Sequence, residues 1–221
     1  MEKLFIVIEG IADQVFLTDL ISTRFEGEFE IIYSKKKKSS DKENLILTLN
    51  KASEKFKEIT FLKANTNGRS IQKQKIDELR TLTSNFEHKT IFILDADAPD
   101  FEQTNQSLIA NFKQEGLEIS EETIFLLPNN ERDGCLEDLL LQLVGDKAGA
   151  IFDCFESYKD CIHQIDEQYT KPDLKTKVYA YSEITTASGN ERKRDYTNHD
   201  IWNLNHEALN PLVEFLTKHL S

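Results

Sequence analysis

The stretch Thr90-Ile91-Phe92-Ile93-Leu94-Asp95-Ala96-Asp97 decides how this chain reads. Ile91 to Leu94 is a short, unbroken apolar run with two β-branched residues. Such a run suits a strand buried on both faces, as in a parallel sheet covered by helices. It ends abruptly in two aspartates one residue apart. In open α/β sheets, ligands collect at the carboxyl ends of the strands, so Asp95 and Asp97 stand where chemistry is expected. Two carboxylates there predict a divalent metal ion. Read alone, each has a blander role: Asp97, just before Phe101, also suits a helix N-cap.

The same strand–turn–helix pattern recurs on either side. Leu4 to Ile8 is an apolar run broken by Glu9-Gly10, and Ile11, Val15, Phe16, Leu20 and Ile21 then recur at helical spacing. Ile59 to Leu62 predicts another strand, followed by a turn at Asn65 to Gly68 and a helix over about 70–84. A helix over about 101–115 follows Asp97, then a strand at Ile124 to Leu127, a turn at Pro128-Asn129-Asn130 and a helix over about 135–144. Between these units, Phe29 to Tyr33 reads as a short strand, the lysine run and Ser39-Ser40 as a loop, and Asn44 to Phe56 as a helix. Helices fit 148–168 and 206–220, with Lys177 to Tyr181 between them as a last strand and a polar loop over 185–199. Strands alternating with helices predict an α/β fold, with a mostly parallel sheet flanked by helices on both faces. The expected division is a metal-binding domain over 1–145, carrying an insertion at about 25–58. A C-terminal helical extension over 146–221, with its one late strand, packs on the same domain.

The totals set limits. The chain has 221 residues, 39 % hydrophobic and 30 % charged, enough for one sizeable core. No apolar run approaches the ~20 residues a membrane helix needs. Met1-Glu2-Lys3 lacks the basic region of a signal peptide, so a cytoplasmic protein without membrane contact is expected. Cys135, Cys154 and Cys161 form no zinc spacing, and the last two, seven apart, read as small core residues on one helix face. The formal charge is −12, which repels nucleic acid at long range. Two basic clusters run against it, Lys35-Lys36-Lys37-Lys38 and Arg192-Lys193-Arg194. They read either as solvated loops or as the phosphate contacts of a nucleic-acid substrate.

Parallel strands bring three groups of acids to one sheet edge: Glu9 with Asp13, Asp95 with Asp97, and Asp133, Glu137 and Asp138 after the strand at Ile124 to Leu127. Crowded carboxylates repel one another, and a hard cation such as Mg2+ or Mn2+ removes that penalty. Phosphate-cradling GxGxxG and GxxxxGK[ST] motifs and the GxSxG elbow are absent from the sequence. The five histidines are scattered and receive no role.

Ile8-Glu9-Gly10-Ile11-Ala12-Asp13 and Ile93-Leu94-Asp95-Ala96-Asp97 resemble the two acidic motifs of the Toprim domain. With Leu127-Pro128-Asn129-Asn130 and Gly134-Cys135-Leu136-Glu137-Asp138-Leu139-Leu140, the chain is similar to stand-alone Toprim-like proteins of the DUF3226 type. Those are related to the Toprim half of overcoming-lysogenization-defect (OLD) nucleases. The resemblance covers about residues 3–145 and implies a Toprim/Rossmann-like fold. It also implies Glu9, Asp95 and Asp97 as principal Mg2+ or Mn2+ ligands, with Asp13 and Glu137 serving a second ion or its waters. Glu9 and an assisting lysine, for which Lys177 is the candidate, would be catalytic. The implied activity is nuclease cleavage of DNA or RNA phosphodiesters in a phage-defence or mobile-element setting. The ATPase half of OLD proteins is missing, so a separate ATPase is a possible protein partner. Two alternatives stand beside this: a non-catalytic metal-binding module acting through protein partners, and a GT-A-like nucleotide-sugar transferase using Asp95 and Asp97 as its DxD. Glu9-Gly10 and Leu136-Glu137-Asp138 have no task in the transferase.

Overall fold

The computed structural model describes residues 3–25, 29–32, 46–49, 58–64, 76–77, 80–81, 88–96, 100–117, 119–145, 148–166, 168, 173–186 and 194–220. Its strands are β1 (Lys3–Ile8), β2 (Phe29–Ile32), β3 (Ile46–Leu49), β4 (Glu58–Lys63), β5 (His88–Asp95) and β6 (Ile124–Leu127). They form one sheet in the order β2-β3-β4-β1-β5-β6. β4, β1, β5 and β6 run parallel, with Lys3 beside both Glu58 and His88, and Phe92 beside Ile124. β3 joins β4 antiparallel, and β2 joins β3 antiparallel at the edge. The sheet is therefore mostly parallel, as expected.

Side chains alternate across each central strand, and both sets are apolar. Leu4, Ile6, Ile8, Ile59, Phe61, Ile91, Ile93, Phe125 and Leu127 face one layer. Phe5, Val7, Leu62, Phe92, Leu94, Ile124 and Leu126 face the other. Each fully buried side chain of this kind contributes about 1.5–3 kcal/mol. The described helices are α1 (Ile11–Arg24), α2 (Phe101–Gln114), α3 (Leu136–Leu140), α4 (Ala148–Ile165), α5 (Leu174–Thr186) and α6 (Asn210–Leu220). α1, α3 and α6 cover the first face, through residues such as Phe16, Leu20, Leu136, Leu140, Leu212 and Leu216. Leu108 and Phe112 of α2, with Ile76, cover the second.

Three expectations fail. Ile46 to Leu49 was expected in a helix and forms β3: Ile-Leu-Thr-Leu is ambiguous by pattern, and pairing with the open edge of β4 decides it. Lys177 to Tyr181 was expected as a strand and lies inside α5. The Val-Tyr-Ala-Tyr composition favours a strand, but Asp173 accepts from the backbone N of Thr176 at 2.8 Å and starts a helix that buries Val178 and Tyr181. Cys154 and Cys161 do share a face of α4, and it is an exposed one.

Candidate metal centre

Glu9, Asp13, Asp95 and Asp138 are each fixed by a backbone N–H at the end of a strand or the start of a helix. Gly10 caps α1, and Asp13, three residues on, reaches back so that Oδ2 accepts from Gly10 N at 2.8 Å. Asp138 repeats the arrangement on α3, accepting from Cys135 N at 2.9 Å. Glu9 follows β1, and its Oε1 accepts from Asp95 N at 3.3 Å. Asp95 closes β5, and its Oδ1 accepts from Leu136 N at 2.9 Å. The side chain of one strand end is thus held by the backbone of the next strand end or helix.

The loop after β6 makes this possible. Asn130 adopts φ 62°, a left-handed conformation that asparagine tolerates, and its Oδ1 accepts from Leu126 N at 2.9 Å. Gly134 has φ 148°, and a Cβ there would lie 2.9 Å from both Asp138 Oδ2 and Pro128 Cδ. Ala96 N donates to Leu127 O at 3.2 Å and to Gly134 O at 2.9 Å, tying this loop to the end of β5. The turn at Pro128–Asn130 and the glycine at 134 deliver the start of α3 to Asp95.

Glu9, Asp13, Asp95, Glu137 and Lys175 line a cleft of about 210 Å³. Asp13 and Glu137 are buried. Burial, then the Asp13 and Glu9 carboxylates, push the Asp95 carboxyl up to about 9, although Leu136 N works against them. Burial likewise pushes Asp13 up to about 6 against the pull of Gly10 N, with Glu137 adding to the rise. Lys175 Nζ lies 3.8 Å from Glu137 Oε1 and supplies a positive charge at the mouth. Burial also raises the Cys135 thiol, which donates from Sγ to Asp138 Oδ2 at 3.3 Å. The donor chemistry fits Mg2+ or Mn2+, which take carboxylate oxygens. Among the described residues, however, no group of three or more His, Cys, Asp or Glu side chains is positioned as it stands to hold an ion.

The remaining predicted residues separate. Asp97, Lys35, Lys36, Lys37, Lys38, Arg192 and Lys193 lie outside the described residues. Asp133 lines an open depression with Asp100 and Glu131, apart from the cleft. Lys177 is not at the cleft: its Nζ pairs with Glu156 at 2.9 Å and sits 4.7 Å over the Phe152 ring. Lys175 takes the place expected of it, because two residues apart on a helix means about 200° of rotation. The Asp173 cap was the signal that would have shown this. Arg194 is buried and stacked 4.5 Å over the Tyr179 ring, so it does not stand in a solvated loop.

A family model described as protein of unknown function (DUF3226) matches residues 3–221. The chain belongs to the DUF3226 family. The match runs through the C-terminal segment as well as the acid-bearing strands, so this DUF3226 chain is covered almost end to end. A hypothetical protein from Pyrococcus horikoshii OT3, known from its crystal structure, resembles it with a TM-score of 0.47 at 14 % identity, over 99 % of this chain and 95 % of that one. No curated protein matches it.

Proposed function

We propose that the cleft supports divalent-metal-dependent phosphodiester chemistry, in the manner of the Toprim half of OLD nucleases, and that the protein is a nuclease. The observation that carries this is the meeting of Glu9, Asp13, Asp95 and Glu137 around one cleft at the carboxyl ends of parallel strands. Glu9 and Asp95, with Asp97, would hold Mg2+ or Mn2+, with Asp13 and Glu137 beside them. When bound, the ion supplies Lewis-acid polarisation of a phosphoryl oxygen. The chain's own residues do the rest. The bond from Asp95 N fixes the Glu9 carboxylate, the bond from Leu136 N fixes that of Asp95, and Lys175 offers its ammonium to a phosphate oxygen at the mouth. The test is Mn2+-dependent cleavage of supercoiled plasmid and of single-stranded RNA. Glu9→Ala and Asp95→Asn are each expected to lower the rate by at least about 100-fold, a loss of about 2.7 kcal/mol in transition-state stabilisation. Undiminished cleavage in both variants would sink the proposal.

A second reading, a metal-binding module that acts through a protein partner, draws support from a different place. Ile151, Phe152, Phe155, Tyr158, Tyr181 and Ile184 line an apolar groove of about 500 Å³ between α4 and α5, with Tyr158 and Ile184 exposed. Exposed apolar surface of this kind marks interaction sites. Protein that binds Mn2+ yet cuts neither substrate would favour this reading over the nuclease. No described helix is long and apolar enough to cross a membrane.

A further inference from the structure

Arg194 is 5 % exposed, yet two of its three nitrogens, Nε and Nη2, have no hydrogen-bond partner. The third, Nη1, donates to Tyr196 Oη at 3.4 Å. Nε and Nη2 together form one edge of the planar guanidinium, the fork that grips two oxygens of a carboxylate or phosphate in parallel. That edge points opposite to Nη1, hence away from the Tyr196 hydroxyl. Buried guanidinium groups normally have their donors filled, and an unfilled one carries a penalty. Stacking on Tyr179 offsets part of it. That stacking fills neither of the two directional N–H donors. Two nearby carboxylates are engaged elsewhere: Asp19 accepts from Tyr196 N at 2.8 Å, and Asp195 accepts from Thr197 N at 3.0 Å.

The position relative to the cleft follows from α5. Tyr179, under the guanidinium, is four residues after Lys175, which lines the cleft, so the two are neighbours on one helix face. We propose that the Nε/Nη2 edge of Arg194 is a seat for a phosphate group, one helical turn along α5 from the acid cleft. This rests on the phosphodiester reading for its choice of phosphate over carboxylate. It adds that the ligand is held by a phosphate beside the reacting one. Neither nitrogen meets solvent in the resting structure, so entry of the anion requires the packing around Arg194 to open.

The experiment uses the full chain in EDTA, with inorganic phosphate and a dithymidine phosphodiester as probes and acetate at equal ionic strength as control. The readout is the 15N-labelled arginine Nε–H spectrum, in which Arg194 is identified by its slow exchange with water, together with the melting temperature. Phosphate or the dinucleotide is expected to shift the Arg194 Nε–H resonance and raise the melting temperature. Arg194→Lys keeps the charge and loses the fork, so it is expected to weaken binding at least tenfold. An unmoved Arg194 resonance in wild type overturns the proposal whether or not the variant folds. So does an equal response to acetate, or phosphate binding undiminished in Arg194→Lys. A parallel Mn2+ titration of wild type separates the two readings: no Mn2+ binding with the phosphate shift intact sinks the metal reading and leaves the seat standing.

Discussion

Burial and the carboxylates of Asp13 and Glu9 push the Asp95 carboxyl up to about 9, from an ordinary value of 3.8. The sign of the consequence follows by linkage. The unfolded chain loses this proton near pH 4, while the folded chain keeps it until about pH 9. Stability from the protonated form is therefore fully present below pH 4 and is lost as pH rises through that window. Asp95→Asn cannot ionise, and its Oδ1 still accepts from Leu136 N. Without metal, its melting temperature is expected to match wild type near pH 4. By pH 8 it should exceed wild type by at least the 2–4 °C that about 1 kcal/mol produces in a chain of this length. A thermal melt series in EDTA checks this, and a constant difference across the pH range would mean that Asp95 is not the strained group. The same variant is the one expected to fail in cleavage, so stability and function move in opposite directions at one residue.

Gly134 shows how the elements around the cleft depend on one another. Its φ of 148° and the 2.9 Å approaches to Asp138 and Pro128 leave no room for a methyl group. Its carbonyl also accepts from Ala96 N at the end of β5. Gly134→Ala is expected to cost about 1–3 kcal/mol and to weaken Mn2+ binding, because the start of α3 shifts off Asp95; denaturant unfolding and a Mn2+ titration read the two effects. The paired helix starts offer a finer comparison. Asp138→Ala removes the bonds from Cys135 N and Cys135 Sγ but no cleft carboxylate; it is expected to cost about 1 kcal/mol and to leave Mn2+ affinity within a few-fold of wild type. Asp13→Ala removes the bond to Gly10 N and a cleft carboxylate together, so stability and affinity both fall. Equal losses of Mn2+ affinity in the two variants would show that Asp13 acts only as a cap. Elements differed in how openly the sequence declared them. β1, β5 and β6 were legible because burial on both faces leaves continuous apolar runs, β4 because only Thr60 interrupts its own, and Glu9, Asp13, Asp95 and Glu137 were legible because strand ends follow from strands. β3 was hidden because its identity lies in its pairing with β4. Lys175 was hidden because reading α5 as a strand misplaced the lysine by half a turn. The burial of Arg194 was hidden inside a basic cluster that looks like solvated loop.

At the scale of the molecule, the first face of the sheet is finished by residues far along the chain. Trp202 packs on Tyr181 and Tyr196, and Tyr196 packs on Phe16 of α1. Val144 and Trp202 form an isolated bridge, and Asn203 N donates to Leu143 O at 2.7 Å. Leu204, Leu209, Leu212, Leu216 and Leu220 are buried in the same cluster as Leu4, Ile6 and Ile8 of β1. Arg24 Nη1 donates to Leu204 O at 3.1 Å, fastening α1 to the same segment. Five leucines, two tyrosines and a tryptophan at about 1.5–3 kcal/mol each contribute on the order of 12–24 kcal/mol, comparable to the whole net stability of an ordinary domain. A fragment ending at residue 145 retains the strands that carry Glu9 and Asp95 but leaves this face bare. It is expected to lack a cooperative thermal transition and to bind Mn2+ no better than an unstructured acidic peptide, whereas the full chain melts in one step. Circular dichroism melts of the two proteins decide it. A fragment that melts cooperatively within a few degrees of the full chain would make 146–221 a true appendage, and the acid cleft would then stand on the strands alone.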